Sequence, residues 1–569
     1  MRHLLLLASL LSACAAPVQG SAHIAAPTAD AAADAAPRKP AADAVAAPDV
    51  AAPAADVPAA TDVPATPSVL QTTPCRVATS APKWWHDAVG YEIFVRSFAD
   101  SDGDGIGDLK GVLAHLDYLN DGKPGQGNDL EVDVLWLMPT FPSPSYHGYD
   151  VTNYRGVNPD YGTDADLDAL VAAAHARGMK VVLDLVVNHT SSQHPWFVDS
   201  AAQTGHQDWY VWADKDLGWK QPFGKSKVWY QSGVRFYYAV FSKGMPDLNF
   251  TTAAVRQEVQ DIGAYWLGRG LDGFRLDAVR YLVEDGPGAG QQEAPETIAY
   301  WQQFSTAMAA QGNQPLLVGE AWAANAVAAK YHGGGTGLPM TFDFDAAAAT
   351  LMVVQTGDAS ALQQVVCAED GIFPKGFARG TFLTNHDMVR VATQLATADG
   401  GTAGLRLAAA LLLTLPGTPW IYYGEELGMA NGPGTGDQDK RLPMPWDGSD
   451  GGGFTTGQPW QPLNAEAATV NVAAESPQPA SMLSLYRQLV RLRKAHAALR
   501  TGTMELVTAP AGLWAFVRTQ GADRVLVAVN LTDAPLALPV PAGKDALDGT
   551  PVVAGGLAVA PMGVRVVLL

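Results

Sequence analysis

The sequence predicts an α/β protein, a (β/α)8 TIM barrel with a subdomain inserted after the third strand and an antiparallel β-sandwich domain at the C-terminus. Three observations lead to this prediction. From residue 83 onward, short β-branched runs alternate with amphipathic segments, which is typical of parallel βα units. That rhythm is interrupted after the third run, and after residue 499 the chain changes to short strands. We therefore expect the barrel over residues 83–188 and 245–499, the inserted subdomain over 189–244 and the C-terminal β domain over 500–569.

Eight apolar runs have the length of barrel strands. They are Gly90–Arg96, Val132–Met138, Lys180–Val187, Gly273–Leu276, Leu316–Gly319, Met340–Phe344, Gly380–Leu383 and Trp420–Tyr423. Helical spacing of apolar residues predicts helices at Ala165–Arg177, Thr252–Leu267, Ala403–Leu415 and Met482–Ala495. The C-terminal strands are expected at Trp514–Arg518, Arg524–Asn530, Leu536–Val540 and Val564–Leu569.

The first fourteen residues have the pattern of a secretory signal peptide. Arg2 and His3 give a basic start, and the apolar run Leu4–Leu11 is too short to span a bilayer. The run ends at Cys14 in a sequence that resembles the bacterial lipoprotein signal, in which this cysteine is lipidated and two or more acyl chains give stable anchoring. We expect an exported protein, lipid-anchored to the bacterial cell envelope at the outer membrane or cell surface. The alternative is an ordinary signal peptide with a chance cysteine.

Residues 15–82 are dominated by Ala, Pro, Asp, Val and Thr, a composition that cannot bury enough apolar surface to fold. We expect an extended linker between the lipid and the barrel. Besides Cys14, the chain contains Cys75 at the end of this linker and Cys367 inside the predicted barrel. Free thiols and a pair are both open, and we do not predict a disulfide.

The charge balance argues against nucleic acid as the main partner. The net charge is −20, from 57 acidic and 37 basic residues. A neutral partner such as a sugar is compatible with this charge, and we expect a monomer. The 15 tryptophans and 17 tyrosines include enough aromatic faces to stack on sugar rings, although any large protein carries many.

Three carboxylates close predicted barrel strands. Asp277 follows the fourth strand, Glu320 the fifth, and Asp387 lies just beyond the seventh. Functional groups of such barrels lie at the C-terminal ends of the strands, so these acids should converge on one mouth. Arg275, two residues before Asp277, should point to the same side of its strand. Paired carboxylates in this setting are what cleavage of a glycosidic bond requires.

Four motifs occur in the order found in the α-amylase family of glycoside hydrolases (family 13), which the chain resembles from about Trp84 to its end. They are Asp184–His189, Gly273–Asp277, Gly319–Trp322 and Asn385–Asp387. The resemblance implies that Asp277 is the nucleophile, Glu320 the acid/base and Asp387 the stabiliser of the transition state in a retaining mechanism. It also implies that an α-glucan is the substrate.

The candidate substrate-binding residues are Tyr149, His189, Arg275, His386, Arg390 and Arg441. Structural roles are the alternative for the histidines and for Tyr149. Asp184 is expected to orient Arg275 or to support the barrel mouth rather than to react.

Two stretches indicate which group within the family the chain resembles. Met245–Asn249 resembles the signature of a group intermediate between oligo-1,6-glucosidases and neopullulanases, which includes many α-amylases. Oligo-1,6-glucosidases usually carry an acid at the position of Tyr146, and its absence favours endo attack. We therefore expect an endo-acting α-amylase on starch and maltodextrins. The alternatives are an α-glucosidase or 4-α-glucanotransferase on maltooligosaccharides and, from another class, a non-catalytic surface glucan-binding protein.

The segment Asp100–Asp108 places acids at alternate positions, with glycines between them that permit a turn. It resembles the loop after the first barrel strand that binds calcium or magnesium in several family members. The ligands would be Asp100, Asp102, Asp104, the carbonyl of Ile106 and Asp108. We expect a structural Ca²⁺, with Mg²⁺ possible in the same loop. The alternative is a solvated acidic turn.

Overall fold

A computed structural model describes residues 70–80, 82–312, 314–396 and 401–569. The signal segment 1–14 with Cys14, and the linker prediction up to residue 69, lie outside these residues. The predicted fold class is confirmed, because eight parallel strands close a barrel and an antiparallel sheet domain follows it.

The strands, in chain order, are β1 (Thr72–Arg76), β2 (Gly90–Ile93), β3 (Val134–Leu137), β4 (Lys180–Leu185), β5 (Trp212–Ala213), β6 (Trp229–Ser232), β7 (Arg235–Tyr238), β8 (Gly273–Leu276), β9 (Leu316–Gly319), β10 (Met340–Phe342), β11 (Ala378–Phe382), β12 (Thr418–Tyr422), β13 (Thr503–Val507), β14 (Leu513–Gln520), β15 (Asp523–Asn530), β16 (Leu536–Leu538), β17 (Gly543–Asp545), β18 (Pro551–Val552), β19 (Leu557–Val559) and β20 (Val564–Leu568).

The helices are Val95–Phe98, Leu109–Ala114, Leu116–Leu119, Asp164–Ala176, Pro195–Ala202, Ala253–Gly268, Pro295–Ala309, Asn325–Ala328, Phe344–Thr356, Ser360–Ile372, Val391–Leu395, Gly401–Thr414, Asp437–Lys440, Val472–Glu475, Met482–Ala495 and Ala497–Thr501. Short 3-10 turns occur at Trp84–His86, Pro159–Tyr161, Gly288–Gln291, Ala329–Gly335 and Glu425–Leu427.

The barrel runs β2, β3, β4, β8, β9, β10, β11 and β12, and it closes where Trp420 of β12 pairs with Gly90 of β2. Its interior is filled by large buried side chains such as Trp136, Phe342 and Trp420, whose rings contact one another. Gly90 is required at this closure, because a Cβ there would lie 2.3 Å from the Trp420 ring. The barrel is thus a packed core with its chemistry confined to the strand ends.

The interruption after the third barrel strand contains a small antiparallel sheet of order β5, β7, β6. This sheet packs its own aromatic cluster, in which Trp219, Trp229 and Tyr238 contact one another. A bridge between His189 and Asp247 joins the two ends of the segment at the barrel mouth.

The C-terminal domain is a seven-stranded sheet of order β1, β13, β14, β15, β20, β17, β18, with β16 and β19 forming a second, two-stranded layer. Buried residues of β14 and β15 pack with Leu538, Leu557 and Val559 of the smaller layer. One strand of the large sheet comes from the N-terminal side of the barrel, since β1 pairs with β13. The linker predicted over 15–82 is therefore wrong at residues 72–76, which form an ordered edge strand.

Of the two alternatives left open for Cys75 and Cys367, the structure shows the pair, a disulfide that the sequence did not predict. Cys75 of β1 is bonded to Cys367 in the helix Ser360–Ile372, across a sequence separation of 292 residues. Beside it, Arg76 forms ion pairs with Glu369 and Asp370 of the same helix. The sheet pairing of β1 is the physical reason, because it carries Cys75 from the end of the linker to the outside of the barrel.

A buried arginine joins the barrel to the C-terminal domain. Arg518 of β14 donates to the carbonyl of Thr414, 2.8 Å away. Within the barrel, Arg493 donates to the carbonyls of Leu413 and Leu415, at 3.1 and 3.2 Å. These carbonyls lie at the C-terminal end of the helix Gly401–Thr414, where cations are favourable.

In the part of the chain that the structure describes, none of the helices is both long and apolar enough to cross a membrane.

Candidate active site

The three acids expected at the barrel mouth lie together at the carboxyl ends of the strands. Asp277 directly follows β8, Glu320 directly follows β9, and Asp387 lies in the loop after β11. Each side chain is at least partly buried, and that of Asp277 is only 10 % exposed. Parallel strands bring their carboxyl ends to one face of a barrel, which explains why residues 110 positions apart in sequence meet there.

Arg275 is the centre of the site. Its Nη1 lies 2.8 Å from both oxygens of Asp184 and 2.9 Å from Oδ1 of Asp277. Its Nη2 lies 2.7 Å from Oε2 of Glu320. One guanidinium thus holds the two acids predicted to react and a third that orients it, which fits the supporting role expected of Asp184.

Asp387 is held from two other directions. Its Oδ2 lies 3.0 Å from Nε2 of His386, and its Oδ1 lies 2.9 Å from Nη2 of Arg441. Arg441 also donates through Nε to the carbonyl of His386, at 3.0 Å. Arg441 therefore fixes both the carboxylate and the loop that carries it.

Tyr149 lies between Asp184 and His386. Its hydroxyl donates to Oδ2 of Asp184 at 3.1 Å and lies 2.6 Å from Nε2 of His386. Its ring stacks on that of His386 with an interplanar angle of 14°. His189 contacts the main chain of the same residue, with Nε2 3.1 Å from the Tyr149 carbonyl. The structure thus brings Tyr149, His189 and His386 together beside the acids.

Arg390 takes a different position from the one predicted. Its guanidinium donates to the carbonyls of Tyr423, at 2.7 Å, and Lys440, at 2.9 Å, and its Cζ lies over the rings of Tyr422 and Tyr423. These partners bound the segment that leads to Arg441, and the Arg390 side chain is buried against it. Arg390 therefore supports this segment, in place of the substrate-binding role that the sequence predicts for it.

Burial and neighbouring charges set the pKa values of the acids. Burial raises the pKa of Glu320 to about 7 and that of Asp277 to about 7, with Arg275 opposing the rise and Asp387 adding to it. Burial opposes the ionisation of Asp387 as well, but His386 and Arg441 outweigh it and hold the pKa of Asp387 far below its usual value. The site therefore contains one carboxylate that stays ionised and two whose pKa values are raised towards neutral pH.

Sequence reasoning missed one charged residue of this network. Glu92 lies in β2, is buried, and its Oε1 is 2.5 Å from Nδ1 of His386. The signal was present in the sequence, because an acid in an otherwise apolar barrel strand needs a buried partner.

The acidic loop after β2 lies beside this end of the barrel. Ligand oxygens of Asp100, Asp102 and Asp108 come within 4.8 Å of one another, so these three carboxylates fit a hard cation. Asp104 lies outside that group, and its Oδ1 accepts from the amide of Ile106 at 2.7 Å. Carboxylate oxygens on a glycine-containing turn are the donor set that calcium and magnesium prefer.

A pair of buried carboxyl groups held by one arginine, with a third carboxylate beside them, is the arrangement that cleavage of a glycosidic bond uses. Comparison with known proteins agrees with this interpretation. The family described as "Alpha amylase, catalytic domain" matches residues 92–502. The chain belongs to this alpha-amylase family of glycoside hydrolases, family 13.

Individual relatives carry several names. The chain is 36% identical over 454 residues to Alpha-amylase 3 of Dictyoglomus thermophilum, covering 79% of this chain and 85% of that protein. It is 32% identical over 522 residues to an oligo-1,6-glucosidase of Heyndrickxia coagulans, covering 79% and 92%. Among solved structures, the alpha-amylase from H. orenii matches with a TM-score of 0.76 and 36% identity, covering 84% of this chain and 99% of that one.

Proposed function

We propose that this protein is a retaining, endo-acting α-amylase that hydrolyses α-1,4-glucosidic bonds in starch and maltodextrins. The observation that carries the proposal is the contact of Arg275 with both Asp277 and Glu320, beside the ionised Asp387. A single guanidinium that contacts both acids keeps them close together, as a double displacement requires.

In the first step the Asp277 carboxylate attacks the anomeric carbon, while the protonated Glu320 donates its proton to the leaving oxygen. The C–O bond to the leaving sugar breaks and a glycosyl ester on Asp277 forms. In the second step Glu320, now ionised, takes a proton from water, which attacks the same carbon and releases Asp277. Asp387 lies where its negative charge stabilises the cationic sugar of both transition states.

The rim of the mouth supports endo attack. Tyr146, which occupies the position where oligo-1,6-glucosidases usually carry an acid, stacks on Trp460 with ring centroids 5.4 Å apart. The guanidinium of Arg441 lies 5.9 Å from the centre of the Tyr146 ring. A stacked aromatic pair at this position offers no carboxylate to a terminal sugar hydroxyl. The alternative, an α-glucosidase, is favoured by the likeness to the oligo-1,6-glucosidase.

A substrate blocked at its non-reducing end separates the two. We expect wild-type protein to cleave both maltoheptaose and 4,6-ethylidene-blocked p-nitrophenyl maltoheptaoside, giving mixed short products, and Asp277→Asn to cleave neither. Cleavage of the free sugar alone, with glucose as the product, would identify an α-glucosidase, and products longer than the substrate would identify a glucanotransferase. Binding of maltodextrin without any product from the wild type would favour the non-catalytic glucan-binding protein.

We further propose that the Asp100–Asp108 loop holds a structural calcium ion, with magnesium as the alternative. Asp100, Asp102 and Asp108 would provide the central ligands, supported by Asp104 and the Ile106 carbonyl. When bound, the ion would neutralise the repulsion among these acids. We expect chelation to lower the melting temperature of the wild type, and Asp102→Asn to remove that dependence. Asp214→Asn, at an exposed aspartate of the inserted subdomain, is the control.

We also propose that the protein is exported and anchored through lipid on Cys14, with the alanine- and proline-rich segment as its tether. The support is the signal pattern that ends at Cys14. Expressed in a Gram-negative host, wild-type protein should fractionate with membranes, and Cys14→Ser should move it to the soluble fraction. Equal release of both proteins would overturn the anchor.

A further inference from the structure

Glu92 is a buried carboxylate that forms its ion pair with a histidine, and not with an arginine or a lysine. Its side chain is 3% exposed and that of His386 is 1% exposed. An isolated carboxylate at such a place is costly, so the environment must supply a compensating charge. The Oε1 of Glu92 lies 2.5 Å from Nδ1 of His386, which makes that ring the source of the charge.

The other ring nitrogen also needs a proton. Nε2 of His386 lies 3.0 Å from Oδ2 of Asp387 and 2.6 Å from the Tyr149 hydroxyl oxygen. The single proton of that hydroxyl goes to Asp184, at 3.1 Å, so the hydroxyl oxygen acts as an acceptor for the ring and for Nη1 of Arg275, which lies 3.4 Å away. Both ring nitrogens therefore face acceptors, and only the doubly protonated imidazolium donates to both.

We propose that Glu92 is a positioning residue for the reaction, keeping His386 doubly protonated so that this ring holds Asp387 ionised and in place. The inference rests on the proposed function, which gives Asp387 its role at the transition state. It assigns to the first barrel strand a part in catalysis that acts through His386 rather than through contact with the sugar.

The charge on His386 depends on every ionisable neighbour. The groups that face it are Glu92 of β2, Tyr149 of the loop after β3, Asp184 of β4, Asp277 after β8, Asp387 of its own loop, and Arg441. Arg275 contacts Tyr149 and Asp184 rather than the ring itself. The positive charge of Arg441 opposes the proton on the ring and the acids favour it. Glu92 differs from the other acids in contacting the Nδ1 side, away from the reacting pair.

The variant Glu92→Gln removes the negative charge and keeps the shape of the side chain. Its amide oxygen can still accept a hydrogen bond from Nδ1 of His386. The first readout is the titration of His386, followed by ¹³Cε1 NMR of histidine-labelled full-length protein, with the signal assigned by its loss in His386→Asn. We expect the wild-type ring to stay doubly protonated through pH 8. In Glu92→Gln we expect its midpoint to fall by about one pH unit or more. A neutral His386 in the wild type at pH 7 would overturn the inference without any variant.

The second readout is steady-state kinetics on maltoheptaose. We expect Glu92→Gln to lower kcat by about tenfold or more, with KM changed less than about twofold, and the alkaline limb of kcat to move to lower pH. Asp523→Asn is the matched control, since Asp523 lies 2.8 Å from Nδ1 of His496, a carboxylate–histidine pair at the barrel's junction with the C-terminal domain. That variant should leave both readouts of the active site unchanged.

The two measurements distinguish a failure of the role proposed for Glu92 from a failure of the proposed function. An active wild type with unchanged kcat, pH profile and His386 titration in Glu92→Gln would contradict the role of Glu92 and leave the proposed function standing. A wild type that cleaves no glucan would contradict the proposed function, while the titration of His386 would still decide whether Glu92 sets its charge.

Discussion

Arg275 shows how one buried charge organises the reacting groups. The guanidinium is 1% exposed and contacts Asp184, Asp277 and Glu320. Bringing a cation into this interior is costly, and the three carboxylates offset that cost while each restricts the others. Burial, together with the repulsion from neighbouring acids, raises the pKa values of Asp277 and Glu320 towards neutral pH, and Arg275 opposes that rise.

The charge state of Glu320 predicts the pH dependence of the reaction. Because the proton on Glu320 goes to the leaving group, kcat/KM should fall as pH rises through about 7, the value to which burial raises its pKa. Glu320→Gln should lower cleavage of maltoheptaose by about 10³-fold or more and remove the alkaline limb. Formation of the glycosyl-enzyme from a substrate with a good leaving group, such as maltosyl fluoride, should be slowed much less, although its hydrolysis should stay slow without the general base.

Azide, which needs no general base, should restore turnover of the fluoride by Glu320→Gln and give a glycosyl azide. An alkaline limb that persists near pH 7 in this variant would show that another group is the acid.

At the residue level, the motifs were enough to find the reacting acids, because each follows a strand and the strands meet at one end. The motifs did not reveal the partners of Arg390 or of Glu92. The partners of Arg390 are main-chain carbonyls in a loop, which no side-chain pattern reveals. Glu92 and His386 lie 294 residues apart in sequence, and only barrel closure brings them together.

At the level of elements, β1 ties the outside of the barrel to the C-terminal sheet. It adds an edge strand to β13, and its Cys75 is bonded to the helix Ser360–Ile372. Such a covalent link, closing a very long loop, restricts the unfolded chain. It also keeps β1 on an edge of β13 that would otherwise be open to pairing with another chain.

Removing this link should destabilise the fold without changing the chemistry. We expect the double variant Cys75→Ser, Cys367→Ser to lose about 2–5 kcal/mol of unfolding free energy and to retain wild-type kcat at 25 °C. Reduction of the wild type should reproduce the loss, and reductant should have no further effect on the variant. Equal thermal stability of oxidised and reduced wild type would contradict the structural role of the bond.

Two elements have the boundaries that the sequence predicts. The helix predicted at Met482–Ala495 has those bounds in the structure, and the strand predicted at Gly273–Leu276 is β8. The first strand ends earlier than predicted, at Ile93, because Val95–Phe98 forms a helical turn. Helical and extended backbones are not distinguishable from so short an apolar run. The strand β1 lay within a segment of linker-like composition and gained its order from β13.

On the scale of the whole molecule, the barrel and the C-terminal domain share buried polar contacts. Arg518 donates to carbonyls of Thr414, Gly502 and Thr503, and is 1% exposed. Burial lowers the pKa of Arg518 well below its usual value. A side chain used in this way couples the stability of the two domains.

Arg518→Met keeps much of the side-chain volume and removes the donors from these carbonyls. We expect a loss of about 1–3 kcal/mol of unfolding free energy, because the acceptors stay buried without their partner. Melting should remain a single transition, followed by differential scanning calorimetry. Arg524→Met, at an exposed arginine of the neighbouring β15, is the matched control. Equal stability of both variants would show that the contact between the domains does not depend on Arg518.

The nucleophilic role of Asp277 is tested most directly by trapping the glycosyl-enzyme. Wild-type protein is incubated with 5-fluoro-α-glucosyl fluoride, digested with pepsin and mapped by tandem mass spectrometry. We predict one sugar per protein molecule, attached to the Asp277 carboxylate, and none in Asp277→Asn. Attachment to a different residue, or an active enzyme that hydrolyses the reagent through inversion without any adduct, would contradict the double displacement at Asp277.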